Sequence, residues 1–99
     1  MHELVESKRQ QIQALCRDLS VRRLDVFGSA VSDSFDVNTS DVDVLVEFGE
    51  GPDFDKFFAL KEGLEEIIGR PVDVVTPSGL ANPYFRHDVM QTRELIYAA

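Results

Sequence analysis

One cysteine, Cys16, is all that the 99 residues contain, which excludes an intrachain disulfide, and no Cys or His stands near it at the spacing of a zinc site. Cys16 lies among apolar residues and reads as a buried small hydrophobe. Basic residues are scarce: 10 Lys and Arg face 18 Asp and Glu, leaving a formal charge of −8. That balance opposes the clustered cations by which proteins grip duplex DNA or RNA, so no direct nucleic-acid partner is expected. It suits a basic protein partner, through complementary fields that speed encounter. No apolar run nears the ~18 residues of a membrane span, and the start, Met1-His2-Glu3-Leu4-Val5-Glu6, lacks a basic segment leading into an apolar one. The expectation is a cytoplasmic chain with no membrane anchor.

A hydrophobic content of 43% is enough for one globular domain over residues 1–99, with a small core that an assembly would extend by burying further apolar surface. From Glu3 to Asp18, Val5, Ile12, Leu15, Cys16 and Leu19 recur at three- and four-residue spacings, which predicts an amphipathic helix. Leu24 to Phe27 give a short strand that ends at Gly28. Ser29 to Ser40 are rich in Ser, Asp, Asn and Thr and read as a turn or short helix, begun by Ser29, and then a loop. Val42 to Phe48 form a second strand, with Val42, Val44, Val46 and Phe48 on one face and Asp43, Leu45 and Glu47 on the other. Gly49-Glu50-Gly51-Pro52 is a turn, and Asp53 or Asp55 starts a helix whose wide apolar face is Phe54, Phe57, Phe58, Leu60, Leu64, Ile67 and Ile68 and which Gly69 stops. Val72 to Val75 follow as a third strand. Asn82-Pro83 opens a last helix, as cap and first helical residue, that runs on through Phe85, Val89 and Met90 to Leu95-Ile96. Strands alternating with helices indicate a small α/β domain, one face of its sheet covered by helices and the other left to carry a site.

The residues that carry chemistry cluster at strand ends. Gly28-Ser29 is followed, after an eleven-residue interval, by Asp41-Val42-Asp43. Alternation places Asp41 and Asp43 on one face, about 7 Å apart at ~3.3 Å per residue. Hard ions such as Mg²⁺ take oxygen ligands, usually one or two carboxylates plus phosphates and water, so a turn and an acidic pair together suggest a metal-nucleotide site. Asp73, flanked by Val72 and Val74, needs a partner or a metal, since burying an unpaired charge is costly. If the third strand neighbours the second, it completes a three-carboxylate cluster whose repulsion one or two Mg²⁺ ions relieve.

This pattern resembles the nucleotidyltransferase superfamily that includes DNA polymerase beta, and most of all the minimal nucleotidyltransferases, which are little more than its core. There a Gly-Ser motif is followed after ten or eleven residues by Asp-x-Asp, and a later strand supplies a third Asp; here these are Gly28 and Ser29, Asp41 and Asp43, and Asp73. The likeness runs from roughly Leu24 to Thr76 and, more loosely, to Pro83, Arg86 and the Leu95-Ile96-Tyr97-Ala98-Ala99 ending. It implies a small mixed β-sheet of about three or more strands with helices packed mainly on one face. It also implies that the Gly28-Ser29 turn holds the phosphates of ATP, that Asp41 and Asp43 hold Mg²⁺, and that Asp73 shares a second ion and takes the proton of an attacking hydroxyl. One departure stands out. Many relatives place Arg-Gly after the Gly-Ser motif, where this chain has Ser32 and Asp33. Arg22, Arg23, Lys61 and Arg86 are the other cations considered for the site.

Many minimal nucleotidyltransferases are antitoxins that transfer AMP from ATP to a tyrosine of a HEPN-class ribonuclease toxin. The resemblance therefore implies a Mg²⁺-dependent protein adenylyltransferase with a HEPN toxin as partner. The competing reading is an antitoxin that neutralises by binding alone. Transfer to a small molecule ranks third, because the comparable enzymes add a helical domain to hold the acceptor. His2, at an end expected to be mobile, and His87 read as solvated surface. Phe54, Phe57 and Phe58 read as core or a partner-facing stripe, and Tyr84 and Tyr97 as packing residues.

Overall fold

In the computed structural model, residues 1–32, 35–49 and 54–99 are described; Asp33, most of the turn expected at 49–52 and Asp53 lie outside them. Two helices, α1 (Glu3–Glu6) and α2 (Arg9–Asp18), lead into strand β1 (Val21–Phe27) and a short 3₁₀ turn (Gly28–Ala30). After them come β2 (Val42–Phe48), α3 (Phe54–Ile68), β3 (Val72–Val75), a second 3₁₀ turn (Pro77–Gly79), α4 (Pro83–Thr92) and β4 (Glu94–Ala98). The four strands lie in the order β3-β2-β1-β4. β1 pairs antiparallel with β2 and β4, and β2 runs parallel to β3, a connection that needs the long crossover α3 provides.

Period-two alternation decides what each face of the sheet meets. Leu24 and Val26 of β1, Val42, Val44 and Val46 of β2 and Val72 of β3 point to one side and are buried. There they pack with Val5, Ile12, Cys16, Leu60 and Leu64 from α1, α2 and α3 in the main core. Cys16 is fully buried, and burial pushes its thiol up to about 12, so it is an inert part of that core. The opposite side holds Phe27, Leu45, Leu80 and Val89 as a smaller apolar cluster. α4 lies over it through Val89, with its other residues exposed, and Phe85 meets Phe27 edge to face at 6.0 Å. The acidic face is therefore partly roofed rather than bare.

Four expectations change. The single first helix is broken at Ser7-Lys8, where Lys8 leaves helical geometry (φ −105°, ψ 6°); Arg9 braces the corner through Glu6 at 2.8 Å and donates to the Leu95 carbonyl at 3.0 Å. His2 is anchored, not mobile: its Nδ1 accepts from the Leu4 amide at 3.0 Å as the cap of α1, and its ring lies 4.7 Å from that of Phe35. Tyr84 is 83% exposed, and Phe54 and Phe58 are exposed as well, so none of the three is core. The last helix stops at Thr92, and Leu95-Ile96 belong to β4, paired with β1. Val89 and Ile96 are seven residues apart, a spacing that a continued helix would also satisfy, but Arg93 turns extended (φ −61°, ψ 140°) and Ile96 enters the main core from the sheet.

Ile96 is 2% exposed, so Ile96→Ala is expected to cost about 2–5 kcal/mol in denaturant unfolding. In the unmodified chain, Cα chemical shifts over 94–98 should have the sign of a strand; helical shifts there would contradict the fold.

Candidate active site

The site is assembled by strand register. Phe27 stands opposite Asp43 across the antiparallel pair, and Asp43 stands beside Asp73 across the parallel one. The residue after Phe27 is Gly28, whose φ of +74° turns the chain out of β1 into the 3₁₀ turn. A Cβ at position 28 would fall 2.6 Å from Asp43 Oδ2. Glycine is thus needed twice, for its left-handed backbone and because the turn closes directly onto the carboxylate. The turn is anchored from the other end of the chain: Ala30 is fully buried, and its carbonyl accepts the His2 amide at 2.6 Å. Ser29 does not begin a helix: it is the middle residue of a three-residue 3₁₀ turn that starts at Gly28, so local amides, rather than a helix dipole, are what the turn offers a phosphate.

Asp43 is the perturbed group. Burial first, then the charges of Asp73 and Asp41 and a hydrogen bond with Asp73, push its carboxyl up from the ordinary 3.8 to about 6. Two carboxylates in such contact repel each other and favour the uptake of a proton or a cation. An all-oxygen donor set with that repulsion fits a hard divalent ion. Asp41 stands apart. It lies at the mouth of β2, about half exposed, with Oδ1 3.9 Å from Arg70 Nη2. Among the described residues no three acidic side chains converge on one metal position, so the expected three-carboxylate cluster is here an Asp43–Asp73 pair with Asp41 beside it.

The loop that delivers Asp41 is closed by its own bonds. The Asp36 amide donates to Ser40 Oγ at 2.9 Å, the Asn38 amide to Asp36 Oδ1 at 2.8 Å, and the Ser40 amide to the Asp36 carbonyl at 2.8 Å. Arg70, between α3 and β3, then reaches back to this loop, with Nε 3.0 Å from the Ser40 carbonyl. Sequence reading missed Arg70. The available signal was its place just before β3, whose start lies beside the start of β2 if the two strands run parallel.

Two of the cations considered from sequence are engaged by other carboxylates. Arg23 is held by the buried Asp25 at 2.9 Å, with Arg93 3.7 Å from the same carboxylate. These groups line a hollow of about 190 Å³ with Leu45 and Met90 that includes none of Asp41, Asp43 and Asp73. Lys61 pairs with Glu65 at 3.4 Å, and Arg22 and Arg86 are exposed. Ser32 donates its hydroxyl to the Ser29 carbonyl at 3.2 Å.

A glycine turn pressed against paired carboxylates is equipment for polyphosphate and a divalent cation, the class of chemistry by which nucleotides are joined to acceptors. The chain belongs to the nucleotidyltransferase domain family, which it matches over residues 8–96, and is a nucleotidyltransferase enzyme. It is 34% identical over 95 residues, 96% of this chain and 94% of the relative, to a Methanocaldococcus jannaschii protein provisionally named protein adenylyltransferase MJ0128. A solved structure provisionally described as a minimal nucleotidyltransferase superposes with a TM-score of 0.77 at 34% identity, covering 95% of each chain. A complex of a tri-AMPylated Shewanella oneidensis HEPN toxin with its MNT antitoxin gives 0.67 at 19% identity, over 95% of this chain and 72% of that one, a likeness of fold.

Gly69 is a natural control for Gly28, since its φ is +77° and a Cβ there would meet nothing within 4 Å. Gly69→Ala should cost about 1–2 kcal/mol, the left-handed backbone alone. Gly28→Ala should cost more in the same denaturant melts; equal losses would mean that the approach to Asp43 is not a constraint.

The raised carboxyl of Asp43 also sets a pH dependence. The folded chain holds this proton more tightly than the unfolded one, so the group's stabilising contribution is full below 3.8 and is lost as pH rises through about 6. In thermal melts with chelator, the stability of the wild type relative to Asp43→Asn is expected to fall across that window. A difference that stays flat with pH would contradict the assignment.

Proposed function

We propose that this chain is a Mg²⁺-dependent protein adenylyltransferase that moves AMP from ATP to a tyrosine of a HEPN-class toxin and thereby silences it. The observation that carries the reading is the closure of the Gly28 turn onto Asp43, itself paired with Asp73. That arrangement sets a phosphate-holding backbone beside the two groups that nucleotidyl transfer requires. The relative named as a protein adenylyltransferase and the AMPylated toxin in the structural neighbour supply the acceptor class.

In this reading the amides of the Gly28-Ser29 turn bind the β- and γ-phosphates of ATP and hold the α-phosphorus over the Asp43–Asp73 pair. Asp41 and Asp43 would hold one Mg²⁺ and Asp73 would share a second, and such ions offset phosphate charge and favour ionisation of a hydroxyl. Asp73, exposed on an edge strand, accepts the proton of the tyrosine hydroxyl. The phenolic oxygen forms its bond to the α-phosphorus as the bond to the β-phosphate bridging oxygen breaks. Pyrophosphate leaves, and the proton stays on Asp73 until solvent takes it.

Ser32 favours a second reading, an antitoxin that neutralises by binding alone, because the position at which many relatives carry a cation holds a hydroxyl bonded to its own turn. One experiment separates the two. The chain is incubated with ATP, Mg²⁺ and the toxin encoded beside it, and the toxin's intact mass is recorded together with its ribonuclease activity. The wild type should add whole AMP units to the toxin, and Asp43→Asn should slow this by about two orders of magnitude or more, the scale of a single transition-state contact. Neutralisation by Asp43→Asn equal to that by the wild type, with no mass gain in either, would replace transfer with binding.

A further inference from the structure

We infer that Arg70 is the positioning residue for Asp41, holding this carboxylate where it can join Asp43 at a divalent cation. The inference rests on the proposed role of Asp41 as a metal ligand. Asp41 precedes β2 and is outside the ladder, so strand pairing does not fix it as it fixes Asp43 and Asp73. Two links make up for this. The Val42 amide donates to the Pro71 carbonyl at 2.9 Å, tying the start of β2 to the segment before β3. From the neighbouring position Arg70 spans the gap, with Nε on the Ser40 carbonyl at 3.0 Å and Nη2 3.9 Å from Asp41 Oδ1.

The guanidinium is a rigid planar fork. Once Nε is set on the backbone before Asp41, the position of Nη2 is set as well, and the carboxylate follows it. Arg70 is the less exposed partner, at 22% against 48% for Asp41, so the fork is the better-packed side of the contact. Among the described residues Asp41 has no other ion-pair partner.

The sign of one measurement tells positioning from mere proximity. A cation that simply lies near a metal site repels the metal, so its removal should tighten Mg²⁺ binding. A cation that places a ligand does the opposite, and loss of such a supporting partner weakens metal affinity by about 10-fold or more. The test is Mg²⁺ titration calorimetry of the full chain without nucleotide, on wild type, Arg70→Gln, Arg70→Lys, Asp41→Asn and the Asp41→Asn/Arg70→Gln double variant. Amide spectra of each variant check that it is folded.

Arg70→Gln should weaken Mg²⁺ binding about 10-fold and should shift the Asp41 amide resonance. Arg70→Lys, which keeps the charge without the fork, should lose affinity too and provides the readout if Arg70→Gln does not fold. In the Asp41→Asn background, Arg70→Gln should have no further effect, since the coupling vanishes when the residue acted upon is gone. Tighter or unchanged Mg²⁺ binding by Arg70→Gln, or an equal loss in the Asp41→Asn background, would overturn the inference, as would a wild-type chain that binds no Mg²⁺. AMP transfer to the toxin does not enter these titrations, so loss of transfer with Mg²⁺ binding intact would fail the proposed function alone, and Arg70→Gln binding Mg²⁺ as tightly as the wild type would fail this inference alone.

Discussion

Everything at this site depends on forcing two carboxylates together. Asp43 and Asp73 are adjacent because β2 and β3 run parallel in a register that places them side by side, Asp43 partly buried and Asp73 exposed. Asp43 is also closed in by Gly28, which leaves no room for a side chain between the turn and the carboxylate. Like charges so confined are relieved by a proton or by a cation. Without metal, burial first and then this repulsion raise the Asp43 carboxyl to about 6. In the proposed reaction that cation would also neutralise a phosphate bound at the turn beside it.

The rest of the fold keeps that crowded point in place and open. Three helices cover one face of the sheet and bury its valines, so that face carries the stability. Among the described residues the other face is covered where Leu45 and Phe27 meet Leu80 and Val89, with Asp43 beside that cover partly buried and Asp73 exposed. Segments far apart in sequence brace the rim. His2 anchors Ala30 behind the glycine turn, and Arg70 reaches the loop before β2. On the outer edge of β3, Glu65 accepts the Val72 amide at 2.9 Å and Lys61 donates to the Val72 carbonyl, satisfying edge groups that would otherwise invite another strand.

Much of this was legible in the sequence where local pattern and tertiary role agree. Alternation in Val42 to Phe48 divides the faces as observed, Gly69 ends α3, and the Gly28-Ser29, Asp41-Val42-Asp43 and Asp73 spacing locates the site residues at the strand ends. Sequence was silent or misleading where contacts between distant segments decide. Leu95-Ile96 continue a helical spacing, yet the free edge of β1 takes them as a strand. His2 looks like a loose end until Ala30 and Phe35 are seen beside it. Arg23 and Lys61 look like free cations until Asp25 and Glu65 are found to hold them. Arg70 drew no attention because its partners precede it by about thirty residues and are brought to it only by the parallel register.

The central claim is that Asp43 and Asp73 are held side by side, so that below about pH 6 a divalent cation competes with a proton for the pair. The most direct measurement is carboxyl carbon NMR of the isotopically labelled chain, following the Asp43 signal across pH with chelator and again with Mg²⁺. A midpoint near 6 that falls clearly when Mg²⁺ is added is the predicted result. An ordinary aspartate midpoint that does not respond to Mg²⁺ would contradict the account.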